Sequence, residues 1–384
     1  MKSLGRICLC VAAFAIATND SATVFSQETD RPSDMASDAK RAWLARISII
    51  ENGRFKFTER RTIVAGSMPS FKQTETPLPP EDVSLEMSVL ISFQKKMLRY
   101  DVEGPRWIVQ TEEFSKRRYI SVFDGTDSKS FYSADESTDN SFHPTGFINK
   151  DEGNFDSENY HLDAVLLAMK PPTNLLDSAT VEVSSTTLVD SNSESLQRKC
   201  ILFRLPDAAG NMVELWTDPA RDWIILRKAK FMNDDLVYQL DVRYREDPRC
   251  VWLPHEWEGV AFARVGDKMR VARKFGAKLQ EAEINIPMTK QEFQFEFPIG
   301  TEVVDRKRNM SFMVTDDGSY REITKGEQLA GATYEQLRTG ELKDSLTAGQ
   351  TILARRIAMY FTIIVVVMLA IAVWWRKLHH RHLT

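Results

Sequence analysis

The run from Leu236 to Tyr244 limits the fold more than any other stretch of this chain. Leu236, Tyr238, Leu240, Val242 and Tyr244 point one way, Gln239, Asp241 and Arg243 the other, and only Val237 breaks the pattern. Side chains alternate across a β-strand with period two, so the run reads as a strand with one buried face and one wet face. Val83 to Phe93 repeats the pattern more cleanly. There Val83, Leu85, Met87, Val89, Ile91 and Phe93 oppose Ser84, Glu86, Ser88, Leu90 and Ser92. No helical stripe buries such a set, so the body is expected to be mainly β, built on a sheet with one apolar face.

Turn chemistry extends this reading along the chain. Asp38–Ile50 carries Ala39, Ala42, Trp43, Arg46, Ile47 and Ile50 at three- and four-residue spacing and predicts an amphipathic helix, ended by Asn52-Gly53. Arg54–Val64, Val83–Phe93, Met97–Val102 and Arg118–Phe123 read as strands. Asp124-Gly125 turns the chain into Lys129–Tyr132. Ala134–Glu158 is acidic, lacks periodicity and reads as a long loop. Asn159–Met169 predicts a second helix stopped by Pro171-Pro172, and Leu175–Val189 a short helix followed by a strand. A meander follows, with strands at Cys200–Leu205, Met212–Thr217, Trp223–Met232, Leu236–Arg245, Trp252–Val265 and Lys268–Ile284. Phe293, Phe295 and Phe297 form one more apolar face, and Val314–Ile323 a small hairpin around Asp317-Gly318.

The two ends point to a compartment. Lys2 and Arg6, an apolar run from Ile7 to Ala17 and a small-residue exit have the layout of a secretory signal. Cleavage is expected after Ser26 rather than Ala17, which gives a signal at 1–26 and a disordered lead-in at 27–37. Ile357–Trp375 holds no charge and would reach ~28 Å as a helix, close to the ~30 Å hydrocarbon core. Arg355 and Arg356 precede it, and Trp374, Trp375, Arg376, Lys377 and Arg381 supply an aromatic belt and a basic tail. The expected topology is a single pass through the lipid bilayer at 357–375, with the body outside and 376–384 in the cytoplasm. Residues 306–354 serve as hairpin and juxtamembrane spacer.

The order of elements resembles a family. An export signal, an amphipathic helix, long one-face-apolar strands, the Phe123-Asp124-Gly125 hairpin, a helical break and a meander match the carrier and receptor of outer-membrane lipoprotein sorting. They also match the related domain of a periplasmic envelope-stress sensor. Leu215-Trp-Thr-Asp-Pro219 and Phe293-x-Phe-x-Phe-Pro298 look like late strands of such domains. Over residues 38–305 the resemblance implies a curved, incomplete antiparallel β-barrel with a few helices over an apolar interior that holds acyl chains. It also implies a bacterial periplasmic setting. The carriers are soluble and the receptor is anchored through a cysteine, whereas this chain has an apolar span and no such cysteine.

Catalytic chemistry is not legible. There is no nucleophile elbow, phosphate loop or dinucleotide fingerprint. Pro254-His255-Glu256-Trp257-Glu258 lacks the second histidine of a zinc helix, so no cofactor or metal is expected and the chain is read as a non-enzyme. A net charge of −4 gives no pull toward nucleic acid. Cys200 and Cys250 face an oxidising compartment, which permits a disulfide, but in a plain meander they lie strands apart. The expected role is a tethered domain that binds or senses a lipid, an acylated peptide or an envelope protein. The alternative is a structural envelope protein with a filled core. The residues expected to line a cavity are Leu85, Met87, Val89, Ile91, Leu236, Tyr238, Leu240 and Val242.

Overall fold

The alternating runs do become strands. A computed structural model describes residues 32–68, 78–108, 112–134, 143–150, 160–189, 195–206 and 211–340, together with 359–363 and 368. The first half contains α1 (Pro32–Ile49), β1 (Asn52–Ile63), β2 (Val83–Gln94), β3 (Met97–Ile108), β4 (Glu113–Phe123), β5 (Ser128–Tyr132), β6 (Thr145–Asn149) and α2 (Tyr160–Met169). The meander contains β7 (Thr180–Val189), β8 (Ser195–Pro206), β9 (Met212–Asp218), β10 (Ile224–Met232), β11 (Asp235–Asp247), β12 (Val251–Val265) and β13 (Lys268–Ile284). Next come β14 (Glu302–Asp305), β15 (Met310–Val314), β16 (Tyr320–Ile323), α3 (Lys325–Ala330) and α4 (Tyr334–Thr339).

All sixteen strands form one sheet in the order β16-β15-β14-β6-β5-β4-β3-β2-β1-β13-β12-β11-β10-β9-β8-β7. Among the described residues the two ends of that order are not paired to each other, so the barrel is incomplete. Five register shifts fall in the meander and its seam, at Lys56/Phe57, Ile225/Arg227, Lys230/Phe231, Arg243/Tyr244 and Ala261/Phe262. A bulge bends its strand and increases local twist, which curls this half of the sheet. Asn233 and Asp234, both with positive φ, make the tight turn between β10 and β11. Gly259 on β12 has no room for a Cβ, because the Phe275 ring of β13 would lie 2.1 Å from it. Phe275 in turn stacks on Tyr238 at 5.9 Å.

The outer face carries cross-strand ion pairs, among them Arg227–Asp241, Arg243–Glu256 at 3.0 Å and Arg54–Glu283 at 2.7 Å. The inner face is apolar, and its core joins β1–β4 to β8–β13. Trp43 of α1 and Trp257 of β12 are fully buried in it, and Trp257 meets Phe57 edge-on at 4.7 Å.

Three features depart from the sequence expectations, and the disulfide that the sequence left open is decided. The stretch 134–158 contains β6, a strand too short to show a period. It pairs with β5 and runs parallel to β14, the parallel pair in an otherwise antiparallel sheet. Phe293, Phe295 and Phe297 form no strand. Phe293 ends a 3-10 turn, and with Phe297 and Val303 it builds a second small core. The β15–β16 hairpin forms as expected, but it extends the main sheet through β14 and is not a separate spacer. The disulfide that the compartment would permit is not made. Cys200 on β8 and Cys250 before β12 are buried and form no disulfide, kept apart by β9, β10 and β11 in the sheet order.

Among the described residues no helix is long and apolar enough to cross a membrane. The signal at 1–26 and most of 357–375 lie outside the described residues. Within the span, 359–363 are helical.

Candidate functional site: the inner face and the cleft beside α1

The inner face is positioned by two helices, each fixed by a few polar contacts around an apolar stripe. On α1, Ala39 and Trp43 point into the core. The Trp43 indole donates to the Trp223 carbonyl at 2.7 Å, and the Arg46 guanidinium donates to the Asp222 carbonyl at 2.6 Å. Asp222 and Trp223 both adopt left-handed φ, which turns their loop toward the helix. One turn before Trp43, Lys40 pairs with Asp177 at 2.6 Å. On α2, Ala164, Val165, Ala168 and Met169 are wholly buried. Asp163 pairs with Lys228 at 2.7 Å, and Lys170 donates to the Lys95 carbonyl at 2.6 Å while lying over the Phe93 ring.

A buried polar cluster joins α2 to β1. The inward positions of β1 run Phe55, Phe57, Glu59, Arg61 and Ile63, so an acid and a base occupy an otherwise apolar stripe. Arg61 donates to Glu59 Oε1 from Nε at 3.2 Å and from Nη2 at 3.1 Å. Arg61 Nη2 also meets His161 Nε2 at 2.8 Å, and His161 Nδ1 meets Glu59 Oε2. A guanidinium only donates, so Nε2 accepts and the imidazole proton sits on Nδ1, donating to Glu59. Burial pushes the His161 pKa down and keeps the ring neutral. Burial also opposes the Glu59 charge, but the hydrogen bonds and charges of His161 and Arg61 outweigh it and hold the carboxyl below its ordinary value. The Tyr100 ring lies 5.9 Å from His161. Its buried hydroxyl has no partner among the described residues, and burial raises its pKa well above the usual value.

Met87, Val89 and Ile91 of β2 and Tyr238, Leu240 and Val242 of β11 share one core with these helices. Leu85 is buried outside that cluster, and Leu236 is half-buried at the start of β11. Six of the eight residues expected to line the interior therefore belong to one packed core. A cleft of about 750 Å³ opens between α1 and the start of β7, lined by Ala36, Lys40, Leu176, Ala179 and Val181. A second, of about 430 Å³, lies by β14–β16 with Phe297, Phe312 and Tyr320 on its walls and Lys307 and Arg308 on its rim. Among the described residues no group of acidic, histidine or cysteine side chains is arranged to hold a metal. His255 is half-buried on β12.

Sequence reasoning passed over Glu59, Arg61 and His161. The available signal was the phase of β1, where Glu59 and Arg61 keep step with Phe55 and Phe57. The cleft beside α1 had no such signal, because it forms between elements distant in sequence.

No family model matches the chain, and no curated protein matches it. Several solved structures do. A DUF1329 family protein from Desulfovibrio piger matches with a TM-score of 0.39 at 9% identity. A putative outer membrane lipoprotein-sorting protein domain from Vibrio parahaemolyticus matches with 0.37 at 8%. A LolA superfamily protein from Nitrosomonas europaea matches with 0.34 at 8%. Each match covers 67% of this chain and 97% of the other. The last two belong to the lipoprotein-sorting group whose order of elements the sequence resembles. The likeness is one of layout and assigns no residue a role.

Proposed function

We propose that this chain is a membrane-tethered extracytoplasmic domain that binds the acyl chain of a lipid or of an acylated peptide between α1 and the inner face of the sheet. The observation that carries this reading is the cleft of about 750 Å³ beside α1. Its volume falls in the ~300–1,000 Å³ range of ligand sites. Ala36, Leu176, Ala179 and Val181 give it an apolar stripe beside Ser33, Ser37 and Thr180, and the Lys40–Asp177 ion pair sits among its lining residues. Of the residues expected to line the interior, Met87, Val89, Ile91, Tyr238, Leu240 and Val242 share one core with α1 and α2, and Leu85 and Leu236 lie outside it. The role is binding, with no catalytic step and no cofactor. The tether is Ile357–Trp375, whose residues Met359, Tyr360, Phe361 and Ile363 are exposed, as a lipid-facing helix would be. This topology places the body in the periplasm of a bacterial cell and the basic tail in the cytoplasm.

A second reading, a structural envelope protein, is favoured by one specific observation: Val89 and Leu240 are fully buried in a continuous core. Native mass spectrometry of the gently extracted protein separates the two. An acyl-bearing species should accompany the wild type and disappear from Ala36→Trp, which fills the cleft, without a change in melting temperature. A ligand-free wild type would leave the structural reading. A reporter fused after Thr384 should behave as cytoplasmic, and export of that reporter would overturn the tether.

A further inference from the structure

The two open edges of the sheet are built differently. At one end β16 is short, alternates Arg321 with Glu322, and has Ile323 packed beneath α4 through Leu337. Short, charged and covered edges are how sheets avoid pairing with other chains. At the other end β7 runs for 10 residues, Thr-Val-Glu-Val-Ser-Ser-Thr-Thr-Leu-Val, with Glu182 as its single charge and no proline. It pairs with β8 over its whole length without a register shift, so no bulge interrupts it. Among the described residues no strand pairs with that row. Arg204 of β8 binds Glu182 at 2.6 Å and offsets the one charge that could repel a neighbour. Val183 is 51% exposed.

We infer that β7 is an interface between two copies of this chain, whose sheets join by antiparallel pairing of Thr180–Val189 with itself. A row of N–H and C=O groups is completed by another strand and not by a lipid. The sequence of β7 suits its own copy. A two-fold axis normal to the sheet keeps both inner faces on the same side, so opposed residues must belong to the same face. Centred on Ser185, this places Val181 opposite Val189, Val183 opposite Thr187 and Glu182 opposite Leu188. With Glu182 as the single charge of the strand, no like charges then fall opposite one another. A strand of this length buries less than the ~800 Å² per partner of a standard stable interface, so the dimer is reversible and grows with concentration.

The register makes the test specific. Directly opposed residues in an antiparallel pair have Cα atoms ~4.5–5.5 Å apart, within disulfide reach. Full-length Ser185→Cys, mildly oxidised, should give a dimer that a reductant dissolves. Thr187→Cys should give about tenfold less, since its own copy lies four positions away, ~13 Å along the strand. The wild type controls for the native cysteines, of which Cys200 and Cys250 are buried. The double variant Val183→Lys/Thr187→Lys should sediment as a monomer with an unchanged circular dichroism spectrum. Wild-type protein that sediments as a monomer at every concentration, or equal cross-linking of the 185 and 187 variants, would overturn the inference, whatever the outcome for lipid binding.

Discussion

Replacing Glu59 with glutamine tests whether the buried cluster is what holds α2 on the sheet. Glu59 and His161 are almost wholly buried and Arg61 is 8% exposed, so the Arg61 charge has no water to replace a lost partner. The glutamine keeps the volume but cannot neutralise Arg61 or accept on both oxygens. It therefore disturbs the contacts at 3.1 and 3.2 Å together with the one from His161. Breaking a buried pair by removing one partner costs about 3–5 kcal/mol. That is a large part of the ~5–15 kcal/mol by which a folded domain is stable. The assay is urea unfolding together with amide exchange, with the largest loss of protection in α2. The wild type should also lose stability in acid. His161 and Glu59 both have folded pKa values below their ordinary 6.5 and 4.5. Their contribution is therefore complete above those values and is lost as pH falls, first through the histidine range and then through the carboxylate range. Glu59→Gln should flatten the carboxylate part of that profile. Equal midpoints for variant and wild type, with α2 equally protected in both, would refute the reasoning.

Other changes test the faces of the sheet. Leu240→Asp puts a charge at a fully buried position and should prevent folding, as judged by far-ultraviolet circular dichroism. Arg243→Asp, on the outer face, should fold but lose more than the ~0.5 kcal/mol of an ordinary surface change, because Glu256 and Glu258 then face a third acid. Gly259→Ala should lower the unfolding midpoint by displacing the Phe275 ring, and Gly259→Ala/Phe275→Leu should recover part of the loss. Val89→Trp overpacks a position with no exposed surface and should cost about 1–3 kcal/mol unless the helices give way.

The parts of the fold legible in the sequence were those where local pattern and tertiary role agree. β2 and β11 alternate because one face meets α1 and α2 and the other meets water, and the Asn233-Asp234 turn announces its backbone. β6 was not legible, because five residues carry too little period and its partner β14 lies far along the chain. The candidate site divides in the same way. The phase of β2 and β11 indicated which residues face inward, but whether that interior is open or filled depends on where α1 and α2 settle. That is decided by contacts such as Trp43 to Trp223 and His161 to Glu59, between residues distant in sequence.

The seam between β1 and β13 bears on how such a chain is made. Arg54 meets Glu283 across 229 positions, whereas every other strand of the two meanders finds a neighbour close by in sequence. A chain delivered from its N-terminus can zip β1 to β2 and β2 to β3 at once, yet the other edge of β1 must stay open until β13 arrives. Loop-closure entropy makes that late joining the slow event. In the interval the exposed row of β1 is the place where assembly can go astray. Its outward positions carry Arg54, Lys56 and Arg60, charges that discourage a wrong strand before the right one comes.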